Sequence, residues 1–449
     1  MAEPLKVGLA GLGTVGGAVI DLLEAGRDKL IARCGRPIEV VALTARSRGK
    51  KRDFDVAKFH WLADPVALAR DSGIDVLVEV IGGDGDPAKR AVETALAAGK
   101  PVVTANKALL ARHGQKLAAL AERHGVALNF EAAVAGGIPI VKTLREGLNG
   151  ASFTRIYGIL NGTCNYILTR MEQDRLAFDD CLREAQRLGY AEADPTFDVE
   201  GHDTAQKLAI LASLAFGTKI DPGAVYVEGI SSITPADLDA AAELGYRVKL
   251  LGVAVKTEAG IEQRVHPTMV PKDSAIAQVM GVTNAVTMDA QGLAPITLIG
   301  PGAGGAATAS AIVADLADIA RGVRNAPFGR PSSRMTAVRK APMQHHEGGY
   351  YIRLLARDRP GTAATIARRL AQQKISLESI VQRHDKGRDK GHDKNPHGAG
   401  RQPGRSGEAV PVIMITYATS EDAVRKALAA VRRDRVVYGR PQVIRIERA

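Results

Sequence analysis

Two rhythms of apolar and polar positions run through the first 135 residues. Short apolar runs, LKVGLA (5–10), IEVVALTA (38–45), DVLVEVIGG (75–83), PVVTANK (101–107) and VALNFEAAV (126–134), read as strands. Between them, GAVIDLLEAG, AKRAVETALAAGK (88–100) and ALLARHGQKLAALAERHG repeat apolar residues at helical spacing. Strands alternating with helices predict a parallel sheet covered on both faces, doubly wound by right-handed crossovers. After GGIPIVKTLREGL the rhythm changes. FTRIYGILNGTCNYILTRM (153–171) and YRVKLLGVAVKT (246–257) suggest an α+β region. ITLIGPGAGGAATASAIVADLADIAR (296–321) reads as a glycine turn leading into a long helix. Residues 322–349, rich in Pro, Arg and Gly, read as a linker. The tail is a compact βαββαβ pattern from YYIRLLAR to RPQVIRIE, so the predicted fold class is α/β with an α+β middle.

The 449 residues suffice for about three domains. Formal charge is +11, but residues 386–405 hold six Lys/Arg against two Asp in one Gly-rich stretch. No basic stripe interleaves with aromatics, which are 4% of the chain, so nucleic acid is not an expected partner. The quasi-repeat around that stretch, 385–408, holds no apolar residue larger than alanine apart from prolines and reads as a flexible insertion, with metal binding by its histidines as the minor alternative. Cys34, Cys164 and Cys181 lack metal-ligand spacing and fit a reducing compartment. Neither a signal peptide nor a membrane span is visible, and the expected location is cytoplasmic.

Chemistry enters at GLGTVG. Gly11, Gly13 and Gly16 have the dinucleotide fingerprint spacing between a strand and a helix. The amides of Thr14 and Val15 would face a pyrophosphate at the helix N-terminus. The plainer alternative is a tight turn without a ligand. The second strand ends VALTARSRGKKR, with no carboxylate for a ribose hydroxyl and with Arg46, Arg48, Lys50 and Lys51 nearby. Arginine suits a 2′-phosphate, so NADP is favoured and NAD remains open. The alternative is a solvated basic loop.

AEADPTFDVEGHDTAQK (191–207) crowds carboxylates and one lysine against the apolar LAILASLAF. In a helix, Asp203 and Lys207 share a face, as a buried pair or as an ordinary surface ion pair. Lys107 follows a parallel strand at the carboxyl edge, where open α/β sheets bind ligands, or is a solvated helix-start lysine. NGTCNY (161–166) supplies small polar groups or an ordinary turn.

GLGTVG, VVTANK, EAAVAGGIPI, YGILNGTCNYIL, LGYAEADPTFDVEGHDTAQKLAILA and GPGAGGAATASAIVADL occur in an order that resembles homoserine dehydrogenase over nearly the whole chain. ARDRPGTAATIARRL resembles the opening of an ACT domain, a kind that commonly binds amino acids. The resemblance implies a Rossmann domain over 1–135 and a substrate-binding and dimerisation domain over 136–300. It further implies a helix over 301–325 returning to the nucleotide domain, a linker over 326–349, and an ACT-like regulatory domain over 350–449. It implies reversible reduction of L-aspartate 4-semialdehyde to L-homoserine, on the way to threonine, methionine and isoleucine, by a homodimer or homotetramer. Lys207 then matches the catalytic lysine, Lys107 the second active-site lysine, and Glu192 the residue for the substrate ammonium. Thr163, Asp198 and Asp203 match positions lining the same pocket. EAAVAGGI resembles a monovalent-cation loop, in which Glu131, Val134, Gly136 and Ile138 would hold sodium by side chain or carbonyl. An amino-acid effector such as threonine is what the ACT-like tail implies, and the basic insertion inside the tail departs from the pattern and puts that sensing in question.

In the chemistry itself, a positioned ammonium can stabilise the alkoxide formed by hydride arrival and deliver a proton. A second cation beside a lysine is expected to lower its pKa. Two other readings compete. Another semialdehyde dehydrogenase would need a cysteine nucleophile, for which Cys164 is the candidate. An amino-acid-sensing regulator on a retired dehydrogenase fold would account for the tail and the charge.

Overall fold

The computed structural model describes residues 2–382 and 409–447, and the basic insertion at 386–405 lies outside the described residues. The chain divides into two compact units. The first comprises residues 1–230, 250–265 and 278–341; the second comprises 231–249, 266–277 and 342–449.

The first unit opens with six parallel strands: β1 (Leu5–Ala10), β2 (Ile38–Thr44), β3 (His60–Trp61), β4 (Val76–Glu79), β5 (Val102–Thr104) and β6 (Leu128–Asn129). Their order is β3-β2-β1-β4-β5-β6. The order reverses between β1 and β4, and the crevice outside the carboxyl ends of those strands is where doubly wound sheets take ligands. β1 and β4 are almost entirely buried, as a parallel sheet covered on both faces requires. β6 is shorter than the apolar run 126–134 suggests. The chain leaves the sheet after Asn129, and Glu131–Ala133 turn as a 3-10 helix because Glu131 bonds elsewhere.

A second, antiparallel sheet follows. Its strands in this unit run in the order Ile296–Pro301, Thr283–Ala290, Phe153–Ile159, then the parts of Tyr246–Thr257 and Gly260–Pro271 that belong here. Helices Gly162–Asp174 and His202–Phe216 pack with it. Gly252 allows the latter approach: a methyl group there would meet Thr204 Cγ2 at 3.1 Å and Leu208 Cδ1 at 3.5 Å. The glycine turn at 302–304 leads into helix Gly305–Ala320, whose Ala309, Ile312 and Leu316 join the core of β1 and helix Thr14–Ala25. The stretch read as a linker is strapped to this unit up to Ala341. Phe328 stacks on Phe130 with ring centroids 5.1 Å apart, and the Ser332 amide and hydroxyl donate to Glu122.

In the second unit the tail forms strands Glu347–Arg357, Leu377–Gln382, Ala409–Thr416 and Val437–Ile446 with helices Thr362–Gln372 and Glu421–Arg433, the expected βαββαβ. Val437–Ile446 and Ala409–Thr416 flank Glu347–Arg357, and Leu377–Gln382 is the edge. Ile352, Leu354, Ile366, Met414 and Val424 form its core. Asp237 of helix Pro235–Glu243, fully buried, accepts from Tyr351 Oη at 3.0 Å and Arg353 Nε at 2.6 Å. No helix among the described residues is long and apolar enough to cross a membrane.

Candidate active site

The crevice begins at the turn after β1. Gly11 has φ +109°, and a methyl group there would collide with the Val80 carbonyl oxygen at 2.6 Å. At Gly16 it would sit 2.1 Å from the Gly11 carbonyl oxygen, so the helix closes tightly on the turn. At Gly13 it would meet nothing within 4 Å, because that face opens into the crevice. Gly13 is the N-cap of helix Thr14–Ala25, with no side-chain cap and no acidic residue in the first turn. The first-turn amides of Thr14 and Val15 are therefore available to an anion. The residues present fit a dinucleotide pyrophosphate.

At the β2 end, Arg46, Lys50 and Arg52 line a cavity of about 560 Å³ together with Gly11, Gly13 and Asp64. Arg46, Arg48, Lys50 and Lys51 are exposed, while Arg52 is partly buried. The Arg52 guanidinium donates to the carbonyls of Ser47 at 2.7 Å, Lys50 at 2.8 Å and Arg48 at 3.1 Å. It also lies over Trp61, 5.8 Å from the ring centroid. The basic run is thus an ordered loop clasped from inside. Arg52 escaped sequence reasoning because its order comes from backbone carbonyls, which no side-chain pattern encodes.

A second cavity, about 270 Å³, lies beyond β4 and β5 and is lined by Val80, Ala105, Lys107, Gly136, Lys207 and Gly302, among others. The buried Glu79 carboxylate holds this edge by accepting from Thr104 Oγ1 at 2.6 Å and the Ile81 amide at 2.8 Å. Asn106 caps helix Lys107–His124 through the Leu109 amide at 3.0 Å, and this starts the helix at Lys107.

Asp203 joins the two lysines. Its Oδ1 lies 2.8 Å from Lys107 Nζ and its Oδ2 lies 2.7 Å from Lys207 Nζ. Lys207 Nζ also donates to the Leu160 carbonyl at 2.7 Å. Asp203 is 3% exposed and Lys207 12% as side chains, so the pair is buried and not the surface pair that its spacing also allows. Burial opposes ionisation of Asp203, but the charges of Lys207 and Lys107 outweigh it and hold the carboxyl well below the usual range. Lys107 runs against the expectation of a lowered pKa. Burial does push it down, yet Asp203, and more weakly Asp198 and Glu192, raise it above the usual lysine value. The carboxylate between the two ammonium groups reverses the sign that their repulsion alone would give.

Asp198 is pushed up by burial and by the Asp203 charge, against hydrogen bonding from Asn161 and the charges of Lys207 and Lys107. Glu192 is exposed, and its carboxylate is near enough to act on Lys107. Thr163 Oγ1 donates to the Tyr190 carbonyl at 2.6 Å, which ties the helix start to the acidic segment. Cys164 is fully buried, and burial with the Asp198 and Asp203 charges pushes its thiol well up. Its Sγ donates to the Asp198 carbonyl at 3.2 Å. A buried, protonated thiol is no nucleophile. Asn161 belongs to the stretch read as small polar groups or an ordinary turn and has no role of its own in that reading; its signal is its place one residue before the small-residue helix start.

In the EAAVAGGI loop, Ala135 and Gly136 have φ of +56° and +53°. The Glu131 carboxylate accepts from the amides of Val141 and Lys142, both at 2.8 Å, and the Ile138 carbonyl accepts from the Ile140 amide at 2.8 Å. Burial and Asp315 push Glu131 up to about 7. The buried carbonyls of Val134 and Gly136 accept no hydrogen bond among the described residues, so part of a cation-binding donor set is present. No group of three or more His, Cys, Asp or Glu suited to a metal ion occurs among the described residues.

Three matches bear on this arrangement. Residues 11–131 match the family described as homoserine dehydrogenase, NAD binding domain; residues 139–317 match homoserine dehydrogenase; residues 350–393 match the ACT domain. The homoserine dehydrogenase of Pseudomonas aeruginosa is 43% identical over 451 residues, covering 99% of both chains. A crystal structure of a homoserine dehydrogenase from Thiobacillus denitrificans superposes with TM-score 0.90 at 42% identity, covering 99% of this chain and 98% of that one. A hyperthermophilic archaeal homoserine dehydrogenase in complex with NADPH superposes with TM-score 0.61 at 28% identity, over 72% of this chain and 99% of that one.

Proposed function

Since this chain belongs to the homoserine dehydrogenase family and is an oxidoreductase with a nicotinamide-binding domain, we propose that its Lys107–Asp203–Lys207 cluster carries out the proton chemistry of the reaction. One observation carries the reading: two lysines from different elements, both lining the cavity at the carboxyl edge of the sheet, converge on one buried aspartate. A bound nicotinamide would supply the hydride to the aldehyde carbon, or accept it from the carbon bearing the homoserine hydroxyl. When homoserine is oxidised, that hydroxyl must lose a proton; when the semialdehyde is reduced, its oxygen must gain one. Lys207, held by Asp203 and the Leu160 carbonyl, is placed to move that proton. Lys107 adds a positive charge that stabilises a developing alkoxide. Glu192 meets the substrate ammonium, and Asp198 and Thr163 line the same pocket.

Gly11, Gly13, Thr14, Val15 and Gly16 would hold the pyrophosphate. The archaeal relative was solved in complex with NADPH. That, the absence of a carboxylate at the β2 end and the clasped basic loop support NADP over NAD, with Arg46 as reader of the 2′-phosphate and Arg52 holding the loop that presents it. Arg46→Ala is expected to raise the KM for NADP about tenfold and leave that for NAD unchanged, the size of one charge-assisted contact. An unaltered ratio would make the loop a solvated surface. Sodium at the Val134 and Gly136 carbonyls, flanked by Glu131 and Ile138, completes the proposed site; titration of the apoenzyme with sodium chloride against choline chloride tests it. A homodimer or homotetramer, a cytoplasmic location and threonine as effector of the ACT domain belong to the same proposal.

Glu192→Ala is expected to raise the KM for homoserine about tenfold with kcat little changed, because an ammonium contact is made equally in ground and transition states. An unchanged KM would remove Glu192 from the pocket. The direct test is homoserine oxidation by purified protein with NADP or NAD, with and without threonine. Turnover with a higher kcat/KM for NADP is expected. Absence of turnover from folded protein would shift the weight to a regulator on a retired dehydrogenase fold.

A further inference from the structure

We propose that Asn161 is a positioning residue of the reaction pocket, whose carboxamide separates and orients the Asp198 and Asp203 carboxylates. The proposal rests on the reading of the lysine–aspartate cluster above. Asn161 lies between strand Phe153–Ile159 and helix Gly162–Asp174 and is 5% exposed. Its Oδ1 accepts from the Cys164 amide at 2.8 Å and caps the helix. Its Nδ2 donates to Asp198 Oδ1 at 2.8 Å and to Asp203 Oδ2 at 2.9 Å. A carboxamide NH₂ has two hydrogens, and here each goes to a different carboxylate. The neighbouring Leu160 gives its carbonyl to Lys207 Nζ. Two successive residues therefore fix the lysine and the two anions around it.

Charge explains why an amide suits this position. Asp198 and Asp203 are like charges in a buried site, where repulsion is weakly screened. The groups facing Asp198 are Asp203 and Lys207 from helix His202–Phe216, Lys107 from helix Lys107–His124, and Asn161 and Cys164 from the Gly162–Asp174 helix start. Only Asn161 among these donates to the Asp198 carboxylate at hydrogen-bond distance among the described residues. An acceptor at position 161 would leave both carboxylates facing a third.

Asn161→Asp separates this role from helix capping. Aspartate retains the acceptor for the Cys164 amide and is itself a good cap. It cannot donate to Asp198 and Asp203 unless it takes up a proton. The acid limb of the kcat/KM profile for homoserine is expected to move up by about one unit, a tenfold loss on that limb. NADPH affinity, read by nucleotide fluorescence, is expected to stay as in the wild type. A folded Asn161→Asp protein with the wild-type acid limb would overturn the proposal. Should the aspartate variant not fold by circular dichroism, Asn161→Ser, which caps the helix but cannot reach both carboxylates, carries the same expectation and the same refutation. Lys207→Ala measured in parallel isolates the parent reading: wild-type turnover there would sink the lysine's role, while the acid limb of the Asn161 variant still decides the carboxamide's.

Discussion

Lys207→Ala is expected to lower kcat for homoserine oxidation by about 10²–10⁴, the usual contribution of a positioned acid–base group, while NADPH still binds. That span is about 3–5 kcal/mol of transition-state stabilisation. The size follows from position. Lys207 projects into the cavity from a helix whose next turns, Leu208 to Ala215, are buried, so no neighbouring side chain can move in to replace it. Its Nζ is fixed by the Asp203 carboxylate and the Leu160 carbonyl, leaving its third tetrahedral position for the reacting oxygen: the lone pair of the neutral amine accepts the hydroxyl proton in oxidation, and the ammonium hydrogen returns it in reduction. The pyrophosphate turn at Gly11–Gly16 lies on another element, so cofactor affinity is expected to survive. Single-turnover kinetics with a separate NADPH titration checks both halves. Loss of NADPH binding together with turnover would make Lys207 a cofactor contact, and near-normal turnover would remove it from the chemistry.

Much of this site was legible because its parts obey local rules. The glycine spacing encodes a turn whose three positions have different steric demands, and the structure meets all three, with Gly13 facing open space. The i,i+4 spacing of Asp203 and Lys207 needs only a helix to become a contact. What stayed hidden depends on chain segments far apart in sequence. Nothing near Lys107 reveals that Asp203, 96 positions away, will raise its pKa (203 − 107). Asn161 looked like a turn residue because its two anionic partners, Asp198 and Asp203, come from a later segment. Arg52 was invisible because it bonds carbonyls. The run read as a linker looked loose from its prolines and arginines, but Phe328 and Ser332 find partners on the first unit that composition cannot register.

Asp203→Asn is expected to be as damaging to turnover as loss of Lys207, and it carries a stability signature of its own. The carboxamide is nearly isosteric but neutral, so the two ammonium groups would lose the carboxylate they both contact and keep only the weaker influence of Asp198 and Glu192. Removing one member of a buried ion pair costs about 3–5 kcal/mol, which here applies chiefly to the well-buried Lys207. The pH dependence has a definite sign. The folded pKa of Asp203 is depressed, with burial outweighed by Lys207 and Lys107. Its stabilisation is therefore fully present above the unfolded aspartate value of about 3.9 and is lost as pH falls through the lower folded value. Lys107 has a raised folded pKa, so its own share is full below about 10.4 and is lost only as pH rises past the folded value. Urea midpoints of the wild type and Asp203→Asn should thus differ most near neutrality and converge in acid below about pH 4. A gap that stays constant from neutral pH into acid would mean that Asp203 contributes packing and not charge. Equal midpoints at neutral pH would mean that the two lysines do not need it.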